Sequence, residues 1–199
     1  DKLCSIPGYQ PYLPIEKLKK NVESVGVSIM GQTTEICPGD KKIYELRDRM
    51  NMIDSYPLIC GSIMSKKIAE GIQGLILDIK TGNGAFMHTV EMATKLGTLL
   101  KNIGELNGLR MCVAITDMNQ PLGKSAGLWC EVQESIDFLK NNKRDANLNE
   151  VVFKICKEAL KISEQKKADS LITKAIDSGK AYEIFEKMIF SHNGDLDTS

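Results

Sequence analysis

The chain has 199 residues, 42% of them apolar, and its 26 Lys and Arg balance 26 Asp and Glu. That length suits one domain, or one and a small second one, with a sizeable core. The charge balance excludes a whole-chain field that would draw it to nucleic acid or to an anionic membrane, and no apolar run approaches a membrane span.

No signal peptide is visible at the start. The six cysteines form no CxxC pair, and with only two histidines a zinc site is not expected. Single cysteines inside apolar stretches read as reduced core thiols of a cytoplasmic protein. Neither end reads as a natural terminus. Asp1-Lys-Leu-Cys4 runs into a turn at Ile6-Pro7-Gly8, and the chain runs out on the polar stretch His192-Asn-Gly-Asp195.

In chain order, Val25-Gly-Val-Ser-Ile-Met30 is short, apolar and β-branched and predicts a buried strand. Cys37-Pro38-Gly39-Asp40 is a turn cluster and a hinge candidate. Residues 41–50 and 56–70 read as helices; Asp54 or Ser55 caps the second, Pro57 fits its first turn and Gly71 ends it. Gly74 to Lys80 is an apolar strand, followed by the glycine-rich loop Thr81-Gly-Asn-Gly-Ala-Phe86. Val90, Ala93, Leu96, Leu100 and Ile103 give a helical period within 89–107, Met111 to Thr116 is a strand, and Ser125 to Asn141 is a helix. This alternation predicts parallel strands with a crossover helix. Ligands then belong in the loops after the strands, here 81–88 and 117–124. Helices over 149–163, 168–178 and 181–190 complete the chain, and the charged linker 140–145 reads as an exposed turn.

The chemistry concentrates in one helix pair. Tyr44 and Arg47 are three apart and Ser62 and Lys66 four apart, so each pair shares a helix face. Joined through Asp54-Ser55-Tyr56-Pro57, the two helices bring four side chains together as a pocket of hydrogen-bond donors, suited to a flat polar ligand that gains negative charge. The plainer alternative is a solvated Lys66 beside Lys67 and a surface pair of Arg47 with Asp48; spacing alone favours it. The loop 81–86 lacks the phosphate-loop pattern and reads first as a tight turn. Asp78 and Lys80 share a face at a strand's carboxyl end and pair with each other in the plain reading. His88 reads as a surface or capping residue.

Whole phrases carry a resemblance. They are Asp1-Lys-Leu-Cys-Ser-Ile-Pro-Gly8, Gly31-Gln-Thr33, Tyr44-x-x-Arg47-Asp48, Asp54-Ser-x-Pro-Leu-Ile59 and Ser62-Ile-x-x-Lys66-Lys67. Asp78-x-Lys-x-Gly-x-Gly-Ala-Phe-Met87, Thr116-Asp-Met-Asn-Gln-Pro-Leu-Gly123 and Glu131-Val-x-Glu-Ser-Ile-Asp137 follow in order. Together they are similar to the thymidine phosphorylase and pyrimidine-nucleoside phosphorylase family, densely over residues 1 to about 142 and thinly toward 199.

The resemblance implies reversible phosphorolysis of thymidine or uridine to free base and (deoxy)ribose 1-phosphate in nucleoside salvage. Inorganic phosphate is the co-substrate, and no cofactor is required. It assigns Tyr44, Arg47, Ser62 and Lys66 to substrate binding, with Arg47 and Lys66 the catalytic pair. It implies an α/β fold with a mostly parallel sheet flanked by helices, divided into an α/β part (1–33 and 73–199) and part of a helical base-binding domain (34–72). Hinges fall near 33–39 and 70–73, and members are usually homodimers. Some members bind a monovalent cation such as potassium, whose ligands map to the carbonyls of Leu122 and Ser125 and the carboxylate of Glu134.

Cys4 stands where the family usually has Glu, Arg49-Met-Asn-Met52 replaces a Thr-rich run, and Leu128-Trp129-Cys130 replaces Asn-Ala-Leu. The family's Lys-His-Ser-Thr phosphate loop precedes the position of Asp1. The expectation is therefore an internal segment carrying the base-binding half of a site and inactive alone. The competing expectations are an anthranilate-type phosphoribosyltransferase and a catalytically dead homologue kept as an interaction module.

Overall fold

In the computed structural model, residues 1–31, 33, 35–50, 52 and 54–197 are described, apart from the side chains of Lys41 and Asp48. Gln32 of the Gly31-Gln-Thr33 phrase, Thr34 in the 33–39 hinge, the Asp48 partner expected for Arg47 and Asn51 of the Arg49 run therefore lie outside the description.

The two apolar stretches expected as strands form β1 (Gly74–Thr81) and β2 (Arg110–Asp117). They pair in parallel, from Gly74 opposite Arg110 to Thr81 opposite Asp117. The crossover is α4 (Val90–Leu106), started by Thr89, whose hydroxyl accepts the Met92 amide at 3.2 Å. Helix and sheet approach closely at Gly97, where an added Cβ would fall 2.7 Å from the Val113 side chain. Two helices precede β1: α2 (Pro38–Arg49) and α3 (Tyr56–Ala69). The protein is thus α/β, with a parallel sheet and flanking helices.

Two compact units emerge. One joins Thr34–Leu122 with Val151–Ala168; the other joins Asp1–Thr33, Gly123–Glu150 and Asp169–Ser199. In the first, Cys60 and Met64 of α3, Ile79 of β1 and Ala93, Leu96 and Leu100 of α4 form a buried core. At roughly 25 cal/mol per Å² of apolar surface, such burial is what holds α3 to the strand–helix–strand unit.

The second unit contains α1 (Ile15–Val25), α5 (Leu128–Leu139), most of α7 (Ala168–Asp177) and α8 (Lys180–Ser191); α6 (Ala146–Ile162) divides between the units. Ile6, Tyr9, Val132, Ile136, Met188 and Ile189 form its core. Among the described residues no helix is long and apolar enough to cross a membrane.

Several expectations need correction. Val25–Met30 is not a strand: Val25 ends α1, and Gly26 caps it in the left-handed region at φ 91°. The stretch after it makes isolated bonds instead of a ladder. Tyr9 Oη donates to the Ile29 carbonyl at 2.5 Å and the Gly31 amide donates to the Pro11 carbonyl at 2.8 Å, while Val27 and Ile29 stay exposed. Strand propensity without a neighbouring edge does not make a strand.

Helix α1 was not anticipated, although Ile15, Leu18, Val22 and Val25 carry a helical period. Helix α5 starts later than Ser125 because nearby amides are taken by its own glutamates. Lys124 and Ser125 N–H donate to Glu134 at 2.8 and 3.0 Å, and Gly127 N–H donates to Glu131 at 3.0 Å. Lys2, ion-paired with Glu131, and this Gly127 amide hold the Glu131 carboxyl below the usual range.

The linker 140–145 is an exposed turn over residues 140–143, as expected, and it is anchored at both ends. Lys140 Nζ lies 4.5 Å from the Tyr182 ring centroid and Arg144 pairs with Asp177 at 2.9 Å. The core-thiol expectation holds for Cys60 and partly for Cys37, Cys112 and Cys156; Cys4 and Cys130 are exposed.

Candidate functional site

Asp40 in the first turn of α2, then Tyr44 and Arg47, fall at i, i+4 and i+7, on one face of the helix. In α3, Ser55 is the N-cap, Pro57 sits in the first turn and Gly71 beyond the end takes φ 70°. Arg47 is only 5% exposed. Its Nη1 donates to the Leu58 carbonyl at 3.1 Å, and its guanidinium carbon lies 5.4 Å from the Tyr44 ring centroid, a cation–π distance. The surface position that the plainer reading requires is therefore ruled out for Arg47.

Lys66 is not a solvated lysine either. Its Nζ donates to Asp40 Oδ2 at 2.8 Å and to Ser62 Oγ at 3.1 Å, and the Asp40 side chain is 7% exposed. An ammonium has donors only. Ser62 Oγ must therefore accept from Lys66, which leaves the Ser62 hydrogen for another acceptor. The order Asp40, Lys66, Ser62 turns a two-way hydroxyl into a directed donor.

At the carboxyl ends of the strands, Lys80 and Thr116 are register partners. Lys80 Nζ lies 2.6 Å from Asp78 Oδ2 and donates to Thr116 Oγ1 at 2.8 Å; the Thr116 hydroxyl donates to Asp78 Oδ1 at 2.5 Å. Asp78 and Lys80 do pair with each other, as their shared face suggests, and Thr116 closes the triangle.

The glycine-rich loop is clipped to the loop after β2. Its Gly82, Asn83, Gly84 and Ala85 amides donate to Met87 O, Asn119 Oδ1, Met118 O and Gly82 O at 3.2, 2.9, 3.0 and 3.1 Å. Gly82, at φ 118°, has Asn119 2.7 Å from where a Cβ would stand. With its amides committed, this loop is a shaped wall and not a phosphate cradle. His88 is exposed, and the adjacent helix cap is Thr89.

These parts line an open cleft of about 440 Å³ within one unit, a size suited to a small organic ligand. Tyr44, Arg47 and Ser62 line it from the helices, and Lys80, Phe86 and Met118 from the strand ends and loops. The lining is mainly apolar, with Ile59, Ile63, Ile79 and Leu96 in the wall. Lys66 is not on the wall, and its link to the lining is the hydrogen bond to Ser62 Oγ.

The family model described as glycosyl transferase family, a/b domain, matches residues 1–182. The chain belongs to that glycosyl transferase family. Its chemistry is accordingly transfer of a phosphoribosyl or pentosyl group.

In this glycosyl transferase domain, three of the four residues assigned by the resemblance, Tyr44, Arg47 and Ser62, line one cavity, and the fourth, Lys66, does not. Leu122 falls in one unit, Ser125 and Glu134 in the other. Sequence reasoning missed Asp40 as the partner of Lys66, though the 40/44/47 spacing carried the signal. It also missed Thr116, whose place depends on strand register, while the wall residues Phe86 and Met118 lie in the loops 81–88 and 117–124 where ligands were expected.

Proposed function

We propose that this glycosyl transferase domain binds a pyrimidine nucleoside and serves its reversible phosphorolysis. The directed donor at Ser62, on a cavity wall shared with Arg47, is the observation that carries this reading. Phosphate oxygen forms the new bond at C1′ of the pentose while the C1′–N1 bond breaks, and the electron pair leaves with the pyrimidine. The departing base becomes an anion at N1, with charge spread onto O2 and O4. Donors fixed in advance bind that anion better than the neutral nucleoside, and only such differential binding lowers the barrier. In this scheme Arg47 and Ser62 meet the base oxygens, Tyr44 packs beside base or sugar, and Lys66 supplies positive charge through Ser62.

The proposal keeps the functional division between a base side (34–72) and a phosphate side (1–33 and 73–199), and a cytoplasmic homodimer. A monovalent cation such as potassium stays an expectation carried by the resemblance alone.

Titration of thymine and uracil into the intact protein, followed by calorimetry, tests the base site. One site is expected, weakened about fivefold by Ser62→Ala, in line with the ~1 kcal/mol of a hydrogen bond. A protein that stays folded and binds neither base overturns the proposal.

A further inference from the structure

The Asp78–Lys80–Thr116 triangle is more than a strand-end ion pair, because one of its members reaches the cavity. Lys80 Nζ spends one N–H on Asp78 and one on Thr116. An ammonium carries three, and Lys80 is a wall residue of the cavity with its side chain 32% exposed. Thr116 is 7% exposed, and as register partner of Lys80 it holds the ammonium where the strand ends. A flexible lysine fixed at two points presents its third donor with little rotamer entropy left to lose on binding.

The charge of the triangle decides what it binds. Asp78 Oδ2 at 2.6 Å cancels the ammonium charge locally. An anionic group reaching Lys80 would also meet the Asp78 carboxylate, and like charges at that range repel. A neutral oxygen meets no such repulsion and still gains a charge-assisted hydrogen bond.

We propose that Lys80, fixed by Asp78 and Thr116, binds a hydroxyl oxygen of the pentose in the nucleoside, and so forms the sugar side of the cavity whose base side is Arg47 and Ser62. This inference rests on the proposed binding of a pyrimidine nucleoside. It makes Lys80 a reader of the neutral sugar and not of a phosphate.

The test compares free base with nucleoside in the intact protein, by calorimetry with uracil and with uridine in the absence of phosphate. Lys80→Met is expected to weaken uridine binding by roughly ten- to hundredfold, as for a hydrogen bond to a charged group, with uracil binding unchanged. Lys80→Arg is expected to restore part of the uridine affinity. The pair Asp78→Asn with Lys80→Met removes both charges together and is expected to give the same selective loss, which separates it from damage by a stranded carboxylate. Equal loss for uracil and uridine, or uridine binding unaffected in a folded variant, overturns the inference while leaving the base site standing. Absence of binding by both ligands in the unmutated protein instead overturns the proposed function, and this inference falls with it.

Discussion

Replacing Lys66 by methionine is expected to lower kcat for base release from a pyrimidine nucleoside by about 10²–10³-fold, the usual effect of removing a preorganised donor to a developing anion. Methionine keeps much of the length and removes the charge. Two consequences follow from the geometry. Ser62 Oγ loses the donor that directs it, so its hydroxyl can turn and donate elsewhere. Asp40, 7% exposed, also loses its ammonium partner 2.8 Å away, so positive charge is withdrawn from the side of the cavity where the leaving base is proposed to turn negative. Both effects act in the transition state more than in the ground state, so kcat should fall more than KM rises.

Asp40→Asn keeps a hydrogen-bonding oxygen and removes the negative charge. About a tenfold loss is expected there, and Ser62→Ala combined with Lys66→Met should lose little beyond Lys66→Met alone, because the two act as one unit. Steady-state kinetics on Lys66→Met, Ser62→Ala, their double variant and Asp40→Asn checks this. Independent, multiplicative losses would contradict the chain of Asp40, Lys66 and Ser62.

The second large effect concerns stability. His192 has no exposed surface. Its Nδ1 sits 2.9 Å from the Gln10 carbonyl, which only accepts, so Nδ1 carries the proton. Its Nε2 lies 2.7 Å from Ser28 Oγ, a second hydrogen bond. The ring stacks on Tyr9 with centroids 4.9 Å apart. One imidazole thus ties the segments around Gln10 and Ser28 to the end of α8.

His192→Ala removes both hydrogen bonds and leaves a cavity, at a cost of about 3 kcal/mol. For a chain of this size that corresponds to a fall in Tm of roughly 6–12 °C. His192→Phe retains the stack and should recover only part of it.

The same cluster sets a pH limit. Burial, with Cys4 adding to it, pushes the Tyr9 phenol from 10.0 up to about 12. The folded state therefore favours the neutral phenol. That stabilisation is complete below pH 10 and is lost as pH rises through about 12. Thermal melts at steps across this window should fall more steeply for the unmutated protein than for Tyr9→Phe.

Local pattern revealed the strands Gly74–Thr81 and Arg110–Asp117 and the helix between them, because alternating apolar runs and a helical period are written in consecutive residues. The pairing of Asp78 with Lys80 was legible for the same reason: alternation puts i and i+2 on one face. Lys66 was harder. Its neighbour Lys67 suggests solvent, and only the packing of α2 against α3 brings in Asp40, 26 positions earlier.

The mistaken strand at Val25–Met30 shows the converse limit, since β-branched residues state a preference and say nothing of whether an edge is available. His192 sat in a stretch that reads as a polar end, yet it is buried through contacts with Gln10 and Ser28, more than 160 positions away. No window along the sequence contains both partners.

The most direct measurement incubates the intact protein with uridine or thymidine and inorganic phosphate and identifies the products by chromatography. Phosphorolysis predicts free pyrimidine and the pentose 1-phosphate in equal amounts, with release of base dependent on phosphate. No base release from either nucleoside, with transfer instead from phosphoribosyl pyrophosphate to an aromatic amine, would contradict it.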